Sequence, residues 1–505
     1  MIPASPPRAG LRRHALWSAF ALAGMATAPA PARAAAADAF EGARSLMRDA
    51  RLHALHHRPA ADVERLAREL GLEAYLPAER RGALQVTNCN DNGAGSLRGT
   101  IASAVSGDTI DLRGLPCNTI ALVGGQIAVP QETLSLLGPG ASRLEIRAGG
   151  GKYENRVFKH EGTGLFIVQG VTVSGGTVSG SFERPSASGG CIRSSGTVAL
   201  GNALFAGVPE YGAVVSGCRA RANAEHEGLA TGGGVFAQQV IMVHSKVTGC
   251  EIEAYSDAVG LHIDGGGGIG TYRLAMLHSE LGDNLEWGSK YGGGGAAILG
   301  VGGTPSLIMN STIAGNTARF GGGLSTGYAI EVRNSTISGN LAESGGGLTV
   351  SGLGGSAVLN NVTITDNAAT SDSPGGGIVV LGSTPLTLNS SIVWGNFRSS
   401  SVADDIGSNV TRSLDGSKNL IGISSVGVPG DTILDTDPHL RPLGWHGGRT
   451  RTHALAPTSQ VIGRGINPAA EQWDQRGTGF ARQVGQFVDI GAFEYSERIF
   501  ADGFD

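Results

Sequence analysis

Between residues 300 and 400 apolar and polar positions alternate in short runs. Leu307-Ile308-Met309-Asn310-Ser311-Thr312-Ile313 and Ala357-Val358-Leu359-Asn360-Asn361-Val362-Thr363-Ile364 are two of them. A period of two, with β-branched residues, predicts strands rather than helices. The runs belong to a phrase that recurs: an aliphatic residue, two small residues, Asn, a gap and a run of glycines. Clear copies are Ile313 to Asn316 before Gly321-Gly323, Ile337 to Asn340 before Gly345-Gly347, and Ile364 to Asn367 before Gly375-Gly377. Looser copies begin at Val215, Val247 and Leu281, and Val393 to Asn396 closes the series without glycines. The fourth positions, Cys218, Cys250, Asn284, Asn316, Asn340, Asn367 and Asn396, are spaced 32, 34, 32, 24, 27 and 29 residues apart. Repetition at such a period marks a solenoid.

Turns of this length, made of short strands and Gly/Asn corners, predict an all-β, single-stranded, right-handed parallel β-helix. Each coil stacks on the next at about 4.8 Å, so every strand pairs with its equivalents above and below. Gly and Asn tolerate the left-handed backbone of sharp corners. Asn284, Asn316, Asn340, Asn367 and Asn396 are expected to line up as a ladder of amides.

With 82 Gly in 505 residues and 5% aromatics, a collagen is the first alternative, but glycine does not fall at every third position. Residues 1–37 have the pattern of a secretory signal: Arg8, Arg12 and Arg13, an apolar stretch Ala15–Ala28, and Ala32-Arg33-Ala34 as the cleavage site. No other apolar run is long enough for a membrane-spanning helix. Cleavage would remove four arginines and no acid from residues 1–34, moving the net charge from −5 to −9. An acidic surface argues against nucleic acid as a partner. In residues 38–82, Val63, Leu66, Ala67 and Leu70 have helical spacing, and Pro59 separates them from an earlier apolar group. A short N-terminal α-helical cap over the open end of the β-helix is expected there. His53, His56 and His57 read as a solvated helix face.

Five cysteines suit an oxidising compartment. Cys89 and Cys117, one coil apart, are expected to bridge. Cys218 and Cys250 both occupy the ladder position, which predicts a second bridge and leaves Cys191 over; Cys191–Cys218 is the competing pairing. No pair has zinc-ligand spacing.

The glycine-and-Asn phrase resembles the repeats of polymorphic outer-membrane proteins over about residues 165–400, with aliphatic residues in place of their Phe. Residues 85–110, with Ser96-Leu97-Arg98, resemble the first turn of secreted bacterial β-helix proteins with a pectin-lyase-like fold. Ser96–Ala104 is expected to be a short helix, and Gly107-Asp108 to turn the chain into a strand at Thr109–Leu112. The C-terminal portion, residues 416–496, is similar to the choice-of-anchor Q domain. The matching pieces are Asn419-Leu420-Ile421-Gly422, Asp437-Pro438-His439-Leu440, Gly447 to Leu455, Asp474-Gln475-Arg476-Gly477 and Val488 to Glu494. The chain departs from that pattern at His446 and Arg449. The resemblance implies a cell-surface or secreted bacterial protein, closed by a tail at 497–505. The residues themselves (Asp474, Arg476, Arg449, Arg451, His453, Asp489 and Glu494) read as a salt-bridged cap on the C-terminal end of the β-helix.

Such folds often handle acidic polysaccharides, yet the polygalacturonase and pectate-lyase phrases are missing, and so is the spaced Asp of calcium-binding repeats. No cofactor is expected, calcium having no motif to support it, and no metal site. The Asn-x-Ser/Thr triplets at Asn310, Asn334, Asn361, Asn389 and Asn409 read as by-products of strand chemistry. One pattern stands out. From ladder residue to last glycine the gap is 7 residues after Asn316 and Asn340 and 10 after Asn367, but 16, 18 and 11 after Cys218, Cys250 and Asn284. Three consecutive coils thus extend one corner, which predicts a wall of long loops where function would sit. It carries Glu225, His226, Glu227, Tyr255, Asp257, His262, Asp264, Tyr272, Arg273, Glu286, Trp287, Lys290 and Tyr291. The plain reading is a solvated loop cluster with packing aromatics.

The specific reading is a groove for extracellular polysaccharide or a cell surface, with Trp287, Tyr291, Tyr272 and Glu227 as ligand-binding residues. A binding or adhesion protein is the expectation. The alternative is a polysaccharide lyase or glycosidase with His262, Arg273 or Lys290 as base and Asp264, Glu286 and Glu227 as acids or metal ligands.

Overall fold

The computed structural model describes residues 83–496, apart from 150–154, 182–185, 202–211, 223–227, 254–264, 288–291, 301–304, 352–354 and 400. The expected signal segment, the helical segment 38–82 and the tail 497–505 lie outside the described residues.

The chain is a right-handed parallel β-solenoid of about ten turns. Each coil contributes to a long sheet of 20 strands and to a second sheet of 12, and nearly all of their pairings are parallel and one coil apart. The repeat phrase sets the register: Val215, Val247, Leu281, Ile313, Ile337, Ile364 and Val393 pair in succession, all of them fully buried. One aliphatic core runs the length of the solenoid, from Val86 and Leu97 to Val426. Few residues in it are aromatic, because a coil is too narrow for large rings to stack in every turn.

The helix Leu97–Ser103 opens the first coil. The Ser96 hydroxyl caps it by accepting the Gly99 N–H, and Leu97 and Ile101 turn into the core. Arg98 ties this start down, bridging Asp91 at 2.7 Å and donating to the Gly125 and Gln126 carbonyls.

The asparagine ladder forms as expected. The Nδ2 of Asn284, Asn316, Asn340 and Asn367 donates to the Oδ1 of the next member at 2.8–2.9 Å. Asn396 ends on Asp405, 2.7 Å away. A carboxylate has only acceptors there, so it closes the ladder without leaving a donor over.

The glycine runs fit the same corner. Gly321, at φ 58°, supplies a left-handed turn that a side chain would strain. The last glycine of a run faces the ladder residue of its own coil. A Cβ on Gly268, Gly323 or Gly377 would stand 2.9, 3.2 or 2.8 Å from the amide of Asn284, Asn340 or Asn396.

That arrangement corrects one disulfide. Cys89–Cys117 is formed, but the expected Cys218–Cys250 bridge is not; Cys191 bonds Cys218, and Cys250 is free and buried. Ile192 is in register with Val235, so Cys191 occupies the position of Gly234, the facing position. Cys191 and Cys218 therefore point at each other across one coil. Cys218 and Cys250 lie side by side, as the asparagines do. Cys250 takes an asparagine's place, its N–H donating to Asn284 Oδ1 at 3.1 Å.

The C-terminal portion does not cap the end. It folds back along the flank, over the corner between the two large sheets. Asn310, Asn334 and Asn361 hold that corner at φ 42–54° and donate their amides to the carbonyls of Asp474, Trp473 and Ile466. These are three of the Asn-x-Ser/Thr asparagines set aside as by-products. Thr312, Thr336 and Ser338 bond Arg451, Gln475 and His453. The salt-bridged character of this portion holds. Buried Arg476 pairs with Asp474 at 2.6 Å and lies between the rings of Phe480 and Phe493, while Arg482 pairs with Glu494 at 3.0 Å. Arg451 reaches Glu280 on the solenoid at 3.4 Å.

A candidate binding wall and the adjoining face

The extended corner is an organised structure. Thr177–Ser179, Arg219–Arg221, Glu251–Glu253 and Leu285–Trp287 form a four-stranded parallel sheet standing outside the two large ones. It spans four coils, one more than the loop lengths imply. Ala187–Ser188 pairs with Ala230–Thr231 as a second leg. Val178, Ala187, Ala220, Ala222, Ala230 and Ile252 fill the space between with a small apolar core of their own. The other face carries charge. Arg219 pairs with Glu251 and Arg221 with Glu253 across neighbouring strands. Trp287, in register with Glu253, is 59% exposed at the end of this row.

The other expected site residues divide. Glu286 is buried and accepts the Arg319 N–H at 2.6 Å, so its carboxylate serves the backbone of the next coil rather than a ligand. Tyr272 and Arg273 belong to the strand Ile269–Leu277 of the long sheet, where Tyr272 meets Phe236 edge-on at 6.5 Å. They do not share a face with Glu286. Glu227, His262, Asp264, Lys290 and Tyr291 lie outside the described residues, as do Glu225, His226, Tyr255 and Asp257. Among the described residues no group of three metal-ligating side chains occurs.

Beside Tyr272 the long sheet has a feature the sequence reading missed. Lys159, Arg193 and Phe236 follow one another in an outward-facing column. Lys159 and Arg193, with His160, Glu161 and Ser195, line a depression of about 310 Å³. The alternation in Phe158-Lys159-His160 and Ile192-Arg193-Ser194 points both cations outward, but their stacking depends on a register that no repeat phrase marks. His160 faces inward. Its Nε2–H donates to the Gln131 carbonyl at 2.9 Å, leaving Nδ1 to accept the Ser194 hydroxyl at 2.7 Å. Burial holds His160 below the usual histidine range. Both members of this serine–histidine pair are buried, and both ring nitrogens of His160 are already taken by hydrogen bonds within the coils.

The face can therefore offer cations, ring surfaces and a raised charged wall, which is binding chemistry. Comparison with family models, with curated proteins and with solved structures finds no match.

Proposed function

We propose that this chain is an exported β-solenoid that binds glycan or another cell-surface polymer along its lateral wall. The observation that carries the reading is the wall itself: four coils in which the third corner of the solenoid is extended by a second leg and filled by its own apolar core, with an exposed Trp287 beside a row of paired charges. An exposed indole supplies a flat apolar surface for a sugar ring, and the flanking arginines and glutamates supply hydroxyl partners. The likeness of residues 416–496 to choice-of-anchor Q segments, and of 165–400 to outer-membrane repeats, supports export and display at a cell surface. Catalysis is the weaker reading, because Arg273 and Glu286 lie on different faces. A glycan array probed with the protein tests the proposal. Binding to a defined glycan set, lost in Trp287→Ala, supports it. Release of unsaturated products from uronate polymers, abolished by Arg273→Ala, would replace it with a lyase.

A further inference from the structure

We infer that the polymer bound at the wall is a neutral polysaccharide lying parallel to the solenoid axis, along an outward strip that runs from Trp287 to Phe397. This rests on the glycan-binding reading above and gives it a ligand class and a path. The third side of the solenoid continues past the wall. Glu251 is in register with Leu285, Leu285 with Thr317, Thr317 with Leu341, Leu341 with Ala368 and Ala368 with Phe397. Alternation turns these side chains outward, and turns Glu286, Ala318, Ala342 and Ala369, all buried, inward. Two residues further along each strand, Trp287, Arg319 and Glu343 face outward beside them. Trp287, Leu341 and Phe397 are 59%, 39% and 39% exposed. Four coil steps separate the strand of Trp287 from that of Phe397, about 19 Å in all.

Two observations select the occupant. The first is charge. Each arginine on these strands has a carboxylate partner within the protein: Arg219 with Glu251, Arg221 with Glu253, Arg319 with Glu343 at 3.0 Å, and Arg398 with Asp404 at 3.0 Å. Among the described residues of these strands no cation is left over to neutralise a uronate or a sulfate. Asp283 and Asp372, both exposed, precede and follow the strip and repel a polyanion. Paired charges still offer hydrogen-bond partners to uncharged hydroxyls. The second is size. The strip is about 19 Å long with roughly 7 Å between its two columns, far short of the ~800 Å² per partner of a stable protein interface. A linear chain of sugars needs no more, its rings lying on Trp287, Leu341 and Phe397 while its hydroxyls meet the flanking charges.

Affinity electrophoresis of the full chain tests this, in gels holding the β-glucan laminarin, galactomannan, polygalacturonate or heparin. Retardation by a neutral polymer, and not by polygalacturonate or heparin, is the expected result. Oligosaccharides cut from the retarding polymer should then bind more tightly with length until they span the strip, as read by titration calorimetry. Phe397→Ala should abolish that several-fold gain while the shortest oligosaccharide binds as before; Trp287→Ala should weaken every length. Phe487→Ala removes an exposed ring elsewhere and should change nothing, and matching circular dichroism melts show that all three variants fold. Retardation by the polyanions alone, or a length gain that survives Phe397→Ala, overturns the inference and leaves the wall a glycan site. A dimer that dissociates in Phe397→Ala gives the strip to a second copy of the chain and overturns it too. Retardation by none of the four polymers, with a blank glycan array, overturns the wall reading itself.

Discussion

At the residue scale the amide of Asn340 makes four side-chain hydrogen bonds. It donates to Asn367 and to the Ile313 carbonyl, and its oxygen accepts the N–H and Nδ2 of Asn316. Asn340→Leu keeps the branched shape but is larger and strands those partners in a dry corner. The expected loss is about 2–5 kcal/mol, read as a lower urea midpoint. Asp405→Asn should also destabilise, since an amide nitrogen would face the Ile423 N–H that now donates to Oδ2 at 2.8 Å. Burial pushes the Cys250 thiol up to about 12. At pH 8 the native protein should therefore resist 5,5′-dithiobis(2-nitrobenzoate), and one thiol should react after denaturation; rapid native labelling would contradict this. The ladder was legible because its members repeat the same phrase. The choice of Cys191–Cys218, the competing pairing, over Cys218–Cys250 was not, because facing across a coil is set by the position of Gly234 in the fold and not by a repeated residue.

At the element scale the wall is held by its apolar filling more than by its charges. The Arg221–Glu253 pair is partly exposed, so Glu253→Ala should change stability by less than about 1 kcal/mol. Ile252 is buried between the legs. Ile252→Asp should disorder the wall and abolish glycan binding while the main unfolding transition stays in place, because coupling in a solenoid runs mainly between stacked neighbours. Circular dichroism melts alongside the array would check both halves of that expectation. The loop-length contrast revealed the wall. The fourth strand, Thr177–Ser179, escaped notice because no ladder asparagine or cysteine precedes it to mark its coil.

At the scale of the whole molecule, the C-terminal flank makes stability sensitive to acid. His244 and His278 stack at 5.1 Å on the corner, and Arg449 from the flank approaches His244 at 3.3 Å. Burial first, then neighbouring positive charge, lowers both histidines, His278 to about 3. Below the unfolded value near 6.5 the unfolded chain takes up protons that the native one refuses. The contribution of His278 is thus full above pH 6.5 and lost as pH falls toward 3, by about 1.4 kcal/mol per pH unit, and that of His244 is lost in the same direction. Glu494 has the opposite sign: burial pushes it up to about 7, so its contribution is full below pH 4.5 and fades as pH rises through 7. His244→Gln with His278→Gln should flatten the fall in urea midpoint between pH 6.5 and 4.5; an unchanged slope would remove these histidines from the account. The sequence by itself determined the solenoid, its direction of stacking and the ladder, since period-two strands and recurring corner residues are local chemistry repeated in every coil. Only the tertiary structure decided which faces met: the flank lying along the coils, Glu286 turned inward, Lys159 stacked on Arg193. Those contacts join residues far apart in the chain, and their register follows from how the coils pack.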